Sequence, residues 1–568
     1  MALAATAAPG ITLAAPAPAP ATSKADLVLY NGHVLTMDAQ GTVAEAVAVA
    51  GDRIIAIGRT ADLKALAGPG ARAIDLEGRT LLPGLIDSRI HGALGVWEAS
   101  TGASLLEADG SPMSRPESIE TRLTQWIAEH KPAAGDWIVA AGFNPKLAIS
   151  RGFDRTLADR IAPDNPLLML SLDHRVAVVN GMAIDLGLLK GLDAKNDAQG
   201  APTGLLREGS VLLLLNKVWA LQPETARRDA MQRFEETAVR FGITTVGSPM
   251  MVPADLLTAE SLISEGRMPV RLVAGALAAN TDARAAFDDY RAAGKSPNAD
   301  RLSIGRSLYQ LDGTVLGWGA AQFQAYKDSG WTSGQLAMPP DAIDRLVRGA
   351  TTAQTSGVTV DATGNLAVHV LFDALEKDPA AQIRADGLQV MTPGDRERLP
   401  RIAKTGLIVS LQPTRFPFRL FLQASLGEEQ MAQALPYRAL IDAGLPVAIN
   451  SDWPMVAQTF KPVQLIEWSV TRAGWRAEEG LTVPQALRAY TSDAARALGL
   501  QDVIGSIEVG KKADLVVFDR DPLELAATPD QLSELAVRLT IAGGSIEFED
   551  RPSARATAAA SGTAGKSR

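Results

Sequence analysis

The chain has 568 residues, 46% of them hydrophobic and 21% charged, with 55 Lys and Arg against 64 Asp and Glu, five histidines and no cysteine. Without cysteine there can be no disulfide, Fe–S cluster, thiolate zinc site or cysteine nucleophile. The net charge of −9 argues against nucleic acid or an anionic membrane as partner.

Residues 1–24 begin MALAATAAPGITLAAPAPAPA, a stretch rich in Ala and Pro and free of charge. It reads either as a secretory signal lacking its basic start, which would place the protein outside the cytoplasm (periplasmic), or as an Ala/Pro arm on a cytoplasmic protein. Residues 25–82 contain three β-branched runs, ADLVLYNGHVLTM, AEAVAVAGDRIIAIG and ARAIDLEGRTLLPG, each closed by an Asn-Gly, Gly-Asp or Glu-Gly turn. The same grammar returns at 501–550 in GSIEVGKKADLVVFDRDP and AVRLTIAGGSIEFED, so both termini are expected to build one small β-sandwich. Residues 551–568, rich in Ala, Ser, Thr and Gly, read as a disordered tail.

Between these ends, over 83–500, short apolar strand candidates (TLLPGLID, WIVAAGF, PLLMLSL, ITTVGSP, VRLVAGAL, LIVSLQP, LPVAINSD) alternate with amphipathic stretches such as ETARRDAMQRFEETAVRFG. Strand followed by helix, repeated this often, predicts an α/β fold with a parallel barrel. Chemistry in such barrels sits where strands end. The residues there include Arg89, His91, Lys146, His174, Asp361, Gln412, Arg415 and Asp452. No stretch after the N-terminal arm is long and apolar enough to span a bilayer.

Several local motifs resemble the amidohydrolase superfamily, in the branch that includes N-substituted formamide deformylases. They are LYNGHVLTMD, LLPGLIDSRIH, GAPTGLLREG, FGITTVG, SLQP, NSDWP, ALRAYTSDAARALG and GSIEVGKKADLVVFDRDP, spread from about Asp26 to Glu549. The resemblance implies an α/β fold, a (β/α)8 TIM barrel with a small β-sandwich made from both termini, carrying in its usual form one or two divalent metals. Their ligands would be a His-x-His pair after the first strand, a bridging lysine, two further histidines and a final aspartate. By analogy a homodimer is also expected.

Those positions are mostly altered. His-x-His appears as Arg89-Ile90-His91, the bridging lysine falls near Leu308, and His-Ala-x-Gly-Asp becomes Asp361-Ala362-Thr363-Gly364-Asn365. A Glu-His-Ala segment registers on Gln389-Val390-Met391, and a histidine after SxQP becomes Arg415. Asp452 and His174 remain. A guanidinium offers no lone pair and repels a cation, so no metal or other cofactor is expected. The alternative is a single weakly held divalent ion on His91, Asp361 and Asp452.

The expected activity is therefore metal-independent acid–base catalysis on a small molecule, anionic or aromatic, nominally hydrolysis of a C–N bond. His91, Asp452, Asp361 and Arg89 would be catalytic, and His174, Arg415, Lys146, Gln412, Asn365 and Trp453 would bind substrate. Arg89 reads either as an anion clamp or as a salt-bridge partner of Asp361 or Asp452 filling the space of the metals. The same residues would serve a lyase, hydratase or isomerase, and a non-catalytic ligand-binding barrel is the third reading.

Overall fold

The β-branched runs at the two ends of the chain pair with each other. In the computed structural model, which describes residues 24–149, 152–294, 298–351 and 357–550, Thr80–Pro83 lies antiparallel to Leu515–Phe518 with Leu82 opposite Val516. A six-stranded sheet containing these two strands faces a four-stranded sheet made of Ala25–Tyr30, Ala46–Ala50, Arg53–Gly58 and Ala67–Asp75. Leu29, Val47, Val49, Leu81, Leu515 and Ile541 form the buried layer between them. The sandwich is thus built from both termini. The arm and tail expected at the extreme ends lie, apart from Lys24, outside the described residues.

The barrel strands are β1 (Leu85–Asp87), β2 (Ile243–Ser248), β3 (Arg271–Ala274), β4 (Leu302–Ile304 continuing as Ser307–Gln310), β5 (Val358–Ala362), β6 (Ile383–Gly387), β7 (Ile408–Leu411) and β8 (Val447–Ile449). Each neighbouring pair from β1 to β8 is parallel. Between β8 and β1 the ring is drawn together by Ser88 Oγ donating to the Ile449 carbonyl (3.1 Å) and by Asp452 N donating to the Arg89 carbonyl (3.0 Å). This is the TIM-barrel architecture that alternating strands and helices imply. Gly84 separates the sandwich strand from β1, and a Cβ there would collide with Thr244, so the close crossing requires glycine.

Two strand candidates go elsewhere. WIVAAGF and PLLMLSL form Ile138–Phe143 and Leu167–Ser171, parallel to each other inside a five-stranded mixed sheet inserted between β1 and β2. Leu167–Ser171 also pairs antiparallel with Val176–Val179. A fully buried strand has the same continuous apolar pattern in either sheet, so periodicity cannot assign it to the barrel.

Two buried carboxyl groups lie at opposite ends of the barrel. Arg271, at the start of β3, donates to Asp514 (3.2 Å) beside the sandwich strand, and Asp514 also accepts from Gly543 N (2.6 Å). At the other end of the barrel, Glu208 points into the loop that follows β4, where a Cβ at Gly313 or Gly319 would collide with its carboxylate. Among the described residues neither oxygen of Glu208 has a hydrogen-bond partner, and burial pushes its pKa up to about 8. It is therefore uncharged at neutral pH.

Replacing Arg271 with Ala leaves Asp514 buried without its cation and should destabilise the protein by about 3 kcal/mol. An unchanged denaturant midpoint would remove this pair from the account. Glu208 stays protonated in the folded chain while the unfolded carboxyl ionises above 4.5, so it lowers stability as pH rises from 4.5 to about 8. The loss is up to about 1.4 kcal/mol per pH unit. Glu208→Gln should be flatter than wild type across that window in unfolding experiments; parallel pH profiles would count against a neutral Glu208.

Candidate active site

The end of β1 sends Arg89 into the barrel, where it is 1% exposed. Its Nη1 donates to Asp361 (2.5 Å) and Asp386 (3.2 Å), its Nη2 to Asp361 (3.2 Å), and its Nε lies 2.8 Å from Asp452. Asp361 and Asp386 belong to β5 and β6, and Asp452 follows β8, so one guanidinium joins three strand ends. Burial opposes the charge on Arg89, but Asp361, Asp452 and Asp386 outweigh it and hold its pKa well above the ordinary value. Without that cation the three carboxylates would face one another in a desolvated interior.

A second set of cations surrounds the first. Arg384 makes two bonds to Asp386 (2.9 and 3.0 Å) and one to the Ser88 carbonyl (3.1 Å). Arg175 reaches Asp361 at 3.4 Å, and the amide oxygen of Gln310, turned toward it, accepts from its Nη2 at 3.0 Å. Arg415 donates to Gln412 (3.0 Å) and Asp452 (3.4 Å), and Gln412 Nε2 donates to Asp452 (3.3 Å).

His91 caps the N-terminus of α1 (Gly92–Thr101), with its backbone N–H on the Trp453 carbonyl (2.9 Å) and its Nε2 3.4 Å from Asp452 Oδ1. Burial lowers the pKa of His91 against the opposing pull of Asp452, so the ring is neutral at neutral pH. Burial would raise Asp452, but Arg89, His91 and Arg415 together hold it far below the usual carboxylate range. The pair is thus a neutral imidazole beside a permanently ionised aspartate. His91 also lines a cavity of about 50 Å3 with Met231, Phe234, Met250 and Met251.

His174 lies across a different space. Its Nε2 is 2.8 Å from Glu98 of α1, and the Glu98 charge overcomes burial to raise the imidazole pKa. Both residues line a chamber of about 320 Å3 together with Trp453.

Six of the sequence-derived site residues, Arg89, His91, Asp361, Gln412, Arg415 and Asp452, therefore meet in one buried cluster, and His174 and Trp453 line the adjoining chamber. Lys146 and Asn365 stand apart. Lys146 pairs with Asp328 and Ser425 and lies over Trp318 (5.3 Å), and Asn365 Oδ1 accepts from Phe323 N (2.9 Å), so both brace the loop after β4. Val390 lies beyond β6 in an isolated bridge to Ala434, and the strand end that faces Arg89 carries Asp386 instead.

Asp386, Arg384, Arg175 and Glu98 are the members that motif reasoning misses. The alternation Arg384-Ala385-Asp386 in an otherwise buried strand is the signal for the first two, because two charges on one face of such a strand require a polar interior. Glu98 is the sole acidic residue in the apolar helix GALGVWEAST.

The divalent metals implied by the family resemblance do not fit this donor set. Arg89 already bonds the carboxylates that would be ligands, Leu308 sits wholly buried in an apolar cluster, and Val390 is beyond its strand. Among the described residues no three or more His, Asp or Glu side chains are grouped to hold a metal ion.

Comparison with known proteins agrees with the architecture. The chain is 26% identical over 574 residues to the N-substituted formamide deformylase of Arthrobacter pascens, covering 93% of this chain and 99% of the relative. It is 25% identical over 530 residues to the protein LONG AFTER FAR-RED 3 of Arabidopsis thaliana, covering 88% of each. The crystal structure of a metal-dependent hydrolase from Pyrococcus horikoshii superposes with a TM-score of 0.69 at 22% identity, over 88% of this chain and 98% of that one, which speaks for the fold alone. Residues 72–548 match the amidohydrolase family, and the chain belongs to that family of hydrolases.

Proposed function

We propose that the protein hydrolyses a C–N bond of a small, uncharged amide by acid–base catalysis without a divalent metal, using Arg89 as a built-in cation. The observation that carries this reading is the Arg89 guanidinium held between Asp361, Asp386 and Asp452 beside a neutral His91. Asp452 Oδ1, 3.4 Å from His91 Nε2, favours the proton on that nitrogen electrostatically and leaves Nδ1 as the basic one. In this scheme Nδ1 takes a proton from water, the resulting hydroxide adds to the amide carbon, the C–N bond breaks, and His91 returns the proton to the leaving nitrogen. The products are a carboxylic acid and an amine. Because Asp452 is held ionised far below neutral pH, it is a poor base and acts by orienting His91.

Arg89 and Arg415 direct donors to the neighbouring carboxylates and to Gln412, which favours a neutral substrate over an anionic one. The name of the Arthrobacter relative points to N-substituted formamides as the first substrates to assay. One observation favours the ligand-binding alternative: Arg89 is 1% exposed and packed among three carboxylates, away from solvent.

Activity on a panel of N-substituted formamides, read as formate release, should survive exhaustive chelation. Loss on chelation with recovery on adding zinc or manganese would overturn the metal-free reading. The acid limb of the kcat/KM profile should fall with a midpoint below the 6.5 of an ordinary histidine, since His91 must be neutral to accept a proton. A midpoint above 6.5 would assign the titration to another group. His91→Ala should lower kcat by about 10²–10⁴-fold with the fold retained, as removal of a general base does. Asp452→Asn, which withdraws both the orienting group and a partner of Arg89, should do the same and also reduce stability.

A further inference from the structure

The 320 Å3 chamber has a definite chemical character. Leu106, Leu172 and Trp453 supply apolar wall, Gly95 and Ala99 leave room beside it, and the Trp453 ring packs directly on Gly95, where a Cβ would collide with it. The polar lining is Ser104, Gln458 and the Glu98–His174 pair. Glu98 Oε2 is bonded to His174, and Oε1 has no protein donor among the described hydrogen bonds. His174 occupies one oxygen of Glu98, so the other is left to accept from a ligand. A ligand carboxylate placed there would set acceptor against acceptor.

We propose that this chamber binds an uncharged molecule with an aromatic or branched apolar body and an amide-type N–H, and that Glu98 Oε1 accepts that N–H. His174 is the positioning residue, holding Glu98 in place through Oε2. The two elements that form the chamber are those that form the proton-transfer pair: α1 begins at His91 and carries Glu98, and Trp453 follows Asp452. This inference rests on the hydrolase reading only for the role of the chamber as substrate site; binding itself does not require catalysis.

The test is calorimetric titration of the full chain with benzamide and benzoate at neutral pH. Benzamide should bind saturably and benzoate about tenfold or more weakly, the difference expected for one hydrogen bond to a charged acceptor. Ala99→Trp, at an exposed helix position on the chamber wall, should abolish benzamide binding, and Glu98→Gln should weaken it about tenfold and narrow the preference over benzoate. If Glu98→Gln fails to fold, Ala99→Trp and the ligand pair still decide. Absence of benzamide binding, equal binding of benzoate, or benzamide binding untouched by Ala99→Trp would overturn the assignment. Metal-dependent activity accompanied by the expected benzamide selectivity would refute the metal-free mechanism and leave the chamber standing.

Discussion

The interior of this barrel depends on one guanidinium. Three carboxylates converge from the ends of β5, β6 and the segment after β8, each nearly or wholly buried, and a desolvated anion without a counter-charge is among the costliest features a fold can contain. Arg89 resolves the problem by placing a planar, permanently charged fork at their meeting point. A buried ion pair of this kind adds less to stability than its Coulomb energy suggests, but losing one member leaves the others exposed to the full desolvation penalty. The remaining arginines extend the same logic: Arg384 secures Asp386, Arg175 braces Asp361 and Arg415 braces Asp452.

That lattice sets the electrostatics around the candidate base. Asp452 is ionised because Arg89 and Arg415 stand against it, and His91 is neutral because burial outweighs the pull of a carboxylate already shared with other cations. The His174 pKa shifts the other way, because Glu98, 2.8 Å from its Nε2, and Asp173 outweigh its burial. The two imidazoles are thus shifted in opposite directions, His91 downward by burial and His174 upward by nearby carboxylates.

Much of the architecture is legible from the chain itself. The turn-closed β-branched runs around Asn31-Gly32 and Gly543-Gly544 identify the sandwich, and the strand–helix alternation identifies the barrel. The assignment of Ile138–Phe143 and Leu167–Ser171 to an inserted sheet is not legible, because continuous apolar runs look alike in any buried sheet. The site divides in the same way. His91, Arg89, Asp361 and Asp452 can be located because they follow recognisable strand ends, whereas the choice between anion clamp and salt bridge for Arg89 depends on which carboxylates lie opposite, a fact of three dimensions. Asp386 lies four residues before Val390, the position on which the motif registers, and Glu98 lies in an apolar helix that carries no motif. Lys146 and Asn365 have the right residue types near strand ends but are drawn off to the loop after β4.

The central claim is that a side-chain cation has taken the place that a divalent ion has in the family pattern. It is tested most directly by elemental analysis of the purified protein after incubation with zinc and with manganese and removal of the excess. The account predicts metal far below one equivalent per chain for both ions. Retention of one equivalent or more, bound tightly enough to survive gel filtration, would contradict it.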